Sequence, residues 1–185
     1  MIFDLPTKVE FGGKSWDINT DYRDVLTVLS AFDDPELNDR EKAFVVLYNI
    51  YKDVAEIPKE YYQEALDKAI EFIDHGEKKE SKCPRTMNWE QDAAIIFPAI
   101  NHVAGFEVRS VDYLHWWTFI GYFMEIKDST AATVFGLRQK KARGKKLEKW
   151  EQEYWRNNRD ICVLKAKLTD KEKEEKEELK KLLGG

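Results

Sequence analysis

The sequence predicts an α+β fold that is predominantly α-helical, with an N-terminal β-hairpin followed by about seven helices in two helical halves. Three observations carry this. Apolar and polar residues alternate on both sides of Gly12-Gly13, the pattern of two short paired strands. Most of the remaining apolar residues recur at three- and four-residue spacing behind capping residues, as amphipathic helices require. A polar stretch from Glu77 to Thr86, with Pro84, separates two such series.

In the hairpin, Val9 and Phe11 lead into Gly12-Gly13, a two-residue turn needing positive φ, and Trp16 and Ile18 alternate on the return. Two-residue pairing sets Val9 opposite Trp16 and puts all four apolar side chains on one face. A first helix after Thr20 carries Tyr22, Val25, Leu26 and Leu29, a stripe suited to cover that face, and Asp33-Asp34-Pro35 ends it. Asn38 and Glu41 form a capping box for a second helix with Phe44, Leu47, Tyr48 and Tyr51 as its stripe. Pro58 suits a first helical position, Tyr62, Ala65, Leu66, Ala69 and Ile73 repeat helically, and Gly76 is a natural stop.

The second half restarts with Asn88 and Gln91 as a capping pair before Trp89, Ala93, Ile96, Phe97 and Ile100. Pro98 inside this pattern predicts a kink one turn back, because its ring excludes the i−4 carbonyl. Gly105 closes the helix. Ser110 is the expected cap of the next, which carries Leu114, Trp116, Trp117, Ile120, Phe123 and Met124 and is apolar nearly all round. A helix from about Thr130 to Arg143 leads through Gly144 into a long one, where Leu147, Trp150, Tyr154, Asn157, Ile161, Leu164 and Leu168 follow heptad spacing. Thr169 and Glu172 re-cap a charged tail. The expected organisation is therefore a hairpin with three helices over 1–76, a polar linker over 77–87, a helical domain over 88–168 and a charged helical tail over 169–185.

At 43% hydrophobic and 13% aromatic residues, the chain can bury a sizeable core. Its longest apolar stretches, such as Ala93 to Ile100, fall short of the roughly 20 residues of a membrane span, so no membrane anchor is expected. Met1-Ile2-Phe3-Asp4 has neither the basic region nor the apolar run of a secretory signal. Cys83 and Cys162 give no disulfide framework and fit a reducing cytosol. The charge is polarised: residues 1–76 carry 8 basic and 17 acidic side chains, net −9, whereas 138–167 carry 11 basic and 4 acidic, net +7. Such opposite-signed surfaces steer association with each other or with different partners.

The chemical signals are weak. Gly13-Lys14-Ser15 resembles the end of a phosphate-binding loop, but Lys8 stands where the first glycine belongs, and a turn explains both glycines. Asp112 with His115 at i, i+3 and Glu71 with His75 at i, i+4 have spacings used in metal-binding bundles, but the pairs are unlike and the further glutamates are missing. His75 instead suits a helix C-terminus, and His115 a core-edge position with a hydrogen-bonding neighbour. Neither cysteine has a catalytic context, and no Gly-x-Ser-x-Gly occurs. Neither a cofactor nor a metal is expected. The basic run Arg138, Lys140, Lys141, Arg143, Lys145, Lys146 and Lys149, followed by Trp150, Tyr154 and Trp155, suits a nucleic-acid backbone with stacking aromatics, or simply a solvated face. The overall acidity favours a protein partner. Of Trp116 and Trp117, at least one ring is expected in the core.

Two stretches resemble the phage gene-product-fifteen family: Asp112-Tyr113-Leu114-His115-Trp116-Trp117-Thr118-Phe119, and Leu137-Arg138-Gln139-Lys140-Lys141 with Lys145-Lys146-Leu147-Glu148-Lys149-Trp150-Glu151. The opening Asn88-Trp89-Glu90-Gln91-Asp92 fits the same pattern, and Pro98 is a departure from it. The resemblance implies a tail-assembly chaperone of siphophages and prophages, encoded ahead of the tape measure gene. Such a protein coats the tape measure protein, helps recruit tail-tube protein, acts in the host cytoplasm, and is absent from the mature virion. It has no catalytic residues.

The competing classes are a nucleic-acid-binding regulator using 138–149 and a small helical metal enzyme using Asp112 and His115. The partner-binding arm is expected in Arg138, Lys140, Lys141, Leu147, Trp150, Tyr154, Trp155 and Ile161, with self-association as a further use. The structural core is expected in Leu114, Trp117, Ile120 and Met124.

Overall fold

Strands β1 (Lys8–Phe11) and β2 (Lys14–Asp17) pair antiparallel with Val9 opposite Trp16, the expected register. Gly12 and Gly13 take φ of 56° and 71°, the left-handed values a two-residue hairpin turn demands. A Cβ on Gly12 would also meet the Tyr61 ring at 3.0 Å, so the turn presses against the chain that follows. The computed structural model describes residues 4–75, 85–172, 174 and 175. Gly76, the segment 77–84 with Cys83 and Pro84, and the tail from 176 on lie outside the described residues.

Helix α1 (Tyr22–Phe32) starts at Asp21, whose carboxylate accepts from the Arg23 amide at 2.9 Å, and ends at Asp33. It packs on α2 (Asp39–Ile50) and on the later helix α5 (Trp116–Met124). The hairpin is covered instead by α3 (Tyr62–Ile73), which lies against β1, a change from the expected first-helix cover. The reason is Tyr51. It leaves α2 extended, bridges to Ile18, meets Phe11 edge-on at 5.7 Å and donates its hydroxyl to the Ala65 carbonyl of α3 at 2.7 Å. Two short 3-10 turns, Val54–Glu56 and Lys59–Tyr61, join α2 to α3, so Pro58 precedes a 3-10 turn and not the helix itself.

The capping box on α2 forms as expected, with Asn38 and Glu41 satisfying each other's backbone amides. Its buried face follows the expected stripe only at Leu47 and Tyr51. Val46, Leu47 and Ile50 are buried, while Phe44 and Tyr48 are both 64% exposed. The run Phe44-Val45-Val46-Leu47-Tyr48 holds more apolar residues than one face can bury, and packing against α1 and α3 selects the aliphatic side.

In the second half, α4 (Ala93–Ala104) runs without interruption through Pro98 to Gly105, whose φ of 80° closes it. Ala94 and Pro98 are both exposed, which leaves the carbonyl that Pro98 cannot serve open to solvent. Asn88 accepts from the Gln91 amide at 2.7 Å, which is half a capping box. The Gln91 side chain instead binds the later backbone at Val163 and Lys165, both at 2.8 Å. Ser110 ends a 3-10 turn, Val108–Ser110, and does not cap α5. His115 does: its Nδ1 accepts from the Trp117 amide at 3.0 Å while its Nε2 donates to the Pro6 carbonyl at 3.0 Å. Along α5 Trp116, Phe119 and Ile120 are buried, while Leu114, which lies ahead of the helix, and Trp117 are only partly covered. Met124, expected in the core, is the last residue of α5 and is 66% exposed.

The two halves share one apolar cluster. Tyr22 of α1 stacks on Phe119 of α5 at 4.3 Å and 10°. Backbone bonds across the same seam, Tyr22 N–H to the Leu114 carbonyl at 3.0 Å and Trp116 N–H to the Thr20 carbonyl at 2.7 Å, sew the halves together. The indole N–H groups of Trp116 and Trp117 donate to the Ile73 and Phe72 carbonyls, each at 2.9 Å, satisfying the end of α3.

Helix α6 (Thr130–Ala142) is capped by the Ser129 hydroxyl on the Ala132 amide. The expected long last helix is broken: α7 (Lys149–Asn157) and α8 (Arg159–Cys162) meet at Asn158, with φ −119° and ψ 38°. Beyond α8 the chain runs back past the approach to α4, where Lys167 pairs with Glu90 at 2.8 Å, and reaches the first half at Glu36, which accepts from the Asp170 amide at 2.5 Å. Thr169 and Glu172 cap each other at the start of the tail. Among the described residues no helix is long and apolar enough to cross a membrane.

Candidate partner-binding surfaces

Val134, Leu137 and Cys162 form a second small core, and much of the expected arm packs on it. Leu147, Tyr154, Trp155 and Ile161 are all partly buried there. Arg138 is buried outright and turns inward. Its terminal nitrogens meet Asp92 at 2.7 and 2.8 Å, and its remaining N–H groups donate to the carbonyls of Cys162, Thr86 and Ile161 at 3.0, 3.0 and 2.7 Å. All five guanidinium donors are thus used, and Arg138 is an internal clamp unavailable to a partner. The charge run misled because spacing does not tell a solvated cation from one facing a carboxylate on another helix.

Lys140 bonds the buried Glu151 carboxylate, which also accepts from the Glu148 amide at 2.8 Å. The Lys140 hydrogen bond, then the Glu148 amide, hold the Glu151 carboxyl below the usual carboxylate range. Lys141 lies 4.1 Å over the Trp155 ring. The arm aromatic left open is Trp150, 55% exposed at the start of α7, with exposed Lys141, Lys145, Lys146 and Lys149 before it. The two pairs weighed as metal-bundle spacings do not sit on regular helix: Asp112 lies ahead of α5 outside any helix, and His75 lies past the end of α3 at φ 58°. His75 instead stacks near Trp116 at 5.9 Å.

A surface the sequence reading missed lies on α2. Phe44 and Tyr48 sit one helical turn apart with rings 5.9 Å apart and 20° from parallel, a stacked pair facing outward. Beside them, between α2 and α3, runs a groove of about 500 Å³ lined by Phe44, Val45, Leu47, Tyr62 and Leu66, with Arg40 and Glu41 as its charged groups. Two exposed aromatics beside an apolar groove have the composition of a docking surface, since lone exposed apolar residues are ordinary but a contiguous patch is not. The signal that would have found it is the excess of consecutive apolar residues over 43–48.

Fold and surfaces together define a mostly helical protein whose distinctive exposed features are aromatic and apolar. The sequence model of the family described as Bacteriophage Gp15 protein matches residues 2–164, nearly the whole chain, and the chain belongs to that family. No curated protein and no solved structure matches it.

Proposed function

We propose that this phage protein is a non-enzymatic tail-assembly chaperone: it binds the tape measure protein, keeps that long helical client from aggregating, and helps bring tail-tube protein to it. The observation that carries the reading is the outward pair Phe44 and Tyr48 beside the α2–α3 groove. An amphipathic client helix laid along such a groove buries its apolar stripe against aromatic anchors, the way helices are held by many grooves. Membership of the Gp15 family supports a phage role. The Leu114-His115-Trp116-Trp117 core and the Leu137-to-Lys141 segment resemble the tail-assembly members. Trp150, with Lys140, Lys141 and the lysines before it, adds a second contact for acidic stretches of the client. On this reading the protein works in the host cytoplasm and leaves before the virion is complete.

The test is co-expression of the tagged chain with the tape measure protein encoded beside it. Co-purification in a salt-stable complex is expected. Recovery of the chain with nucleic acid alone, released by salt, would overturn the reading in favour of a regulator acting through 138–149.

A further inference from the structure

We propose that a second copy of this chain docks the Trp150 end of its α7 into the α2–α3 groove, so that copies join head to tail. The proposal goes beyond client binding, sharing the groove with that reading but not the partner.

Charge argues for it first. The segment 36–74, which holds α2 and α3 around the groove, carries 10 acidic and 5 basic side chains, net −5, with Arg40 and Glu41 as the charged groups of the groove itself, whereas 138–149 carry 7 basic and 1 acidic, net +6. Removing the internally paired Arg138 still leaves the arm strongly positive, so each chain carries both halves of a complementary pair. The same balance disfavours groove against groove, where two acidic α2–α3 segments would meet.

Shape argues next. Trp150 stands out from the first turn of α7, exposed at 55%, beside Lys149 and just after Lys145 and Lys146. The groove offers the Phe44 ring in its lining, with Tyr48 stacked on that ring one turn along α2. An indole laid on those rings with lysines at their edges combines aromatic stacking and cation–π attraction, the chemistry Lys141 and Trp155 already use within one chain. The arm is held on its own half by the Lys140–Glu151 pair and by Tyr154 and Trp155 in the second core, so Trp150 is presented outward and not folded back.

Because the two surfaces differ, the contact is heterologous: it propagates into short chains or closes into rings, leaving one groove and one arm free at each open end. It also shields Phe44 and Tyr48 before a client arrives. A client helix then competes with the neighbouring arm for the same groove.

Sedimentation velocity of the full chain alone, at low and high salt, tests this without a client. The wild-type protein is expected to form a concentration-dependent series beyond the dimer that dissociates in high salt. Trp150→Ala, the double variant Phe44→Ala with Tyr48→Ala, and the double variant Lys145→Glu with Lys146→Glu should each be monomeric, with self-association weakened at least tenfold. The decisive sample is an equimolar mixture of Trp150→Ala with the Phe44/Tyr48 variant. One intact groove and one intact arm should give a dimer that grows no further. A wild-type monomer at all concentrations, a Trp150→Ala protein that associates like wild type, or a monomeric mixture overturns the proposal. Each of those leaves the client reading standing.

Discussion

Arg138 grips Asp92 with both terminal nitrogens, at 2.7 and 2.8 Å, where both side chains are at most 4% exposed. The pair joins the start of α4 to α6, and the other guanidinium bonds pull in the end of α8 and the chain at Thr86. Removing one partner of such a pair strands a charge and several carbonyls. Arg138→Ala should therefore cost about 3–5 kcal/mol in a urea titration. Arg138→Lys should restore little of this, because one ammonium replaces a planar fork of five donors. An alanine variant as stable as wild type would show that the clamp is not what holds α8 in place.

The tryptophan pair makes a second, finer prediction. Trp116 is 2% exposed and its indole serves the Ile73 carbonyl. Trp116→Phe retains most of the ring but not the donor, so it should lose about 1–3 kcal/mol by leaving that carbonyl unserved. Trp116→Ala should lose about 3–5 kcal/mol through the added cavity. Equal losses for the two would mean that the hydrogen bond contributes most of the effect and packing little.

Glu107 supplies the pH dependence. Its carboxylate accepts from the Arg109 side chain at 2.7 and 2.8 Å, from the Arg109 amide at 3.1 Å and from Asn101 at 2.8 Å, and these bonds pull its pKa from 4.5 to about 2. A lowered folded-state pKa means that the stabilisation is complete above 4.5 and disappears as pH falls towards 2. Carboxyl NMR should place the Glu107 midpoint near 2, and Glu107→Gln should flatten the pH slope of unfolding between 4.5 and 2. A midpoint at the ordinary value would contradict the bonding scheme of this turn.

Local chemistry was legible in the sequence, and long-range choice was not. The hairpin register followed from period-two alternation and Gly12-Gly13, and the Asn38–Glu41 box from a three-residue spacing. Both are decided within a few residues. The buried side of α2 was misread because Phe44 and Tyr48 fit a helical stripe as well as Val46 and Ile50 do, and only contact with α1 and α3 separates them. The start of α5 shifted from Ser110 to His115 because the intervening backbone pairs with Thr20 and Tyr22 of the other half. Arg138 and Asp92 lie 46 positions apart, so no pattern of spacing announces their pairing. The heptad seam failed at Asn158, where its polar side chain bonds the Tyr154 carbonyl at 3.0 Å and the helix stops. The candidate docking surface was hidden for the same reason as the α2 face: an exposed aromatic looks like a core residue until its neighbours are known.

Phe44 and Tyr48 are both 64% exposed, so changing both to Ser should leave stability within about 0.5 kcal/mol of wild type, as for most exposed positions. A large loss in thermal unfolding would mean that the pair supports the fold and is not held ready for a partner.

That stability-neutral double variant also gives the most direct test of the central claim, that the α2–α3 groove holds the helical client. The measurement is the soluble fraction of the tape measure protein when co-expressed with wild type or with Phe44→Ser, Tyr48→Ser. The account predicts that wild type keeps the client soluble and bound, while the folded double variant leaves it in the pellet. Equal solubilisation by the two proteins would contradict it.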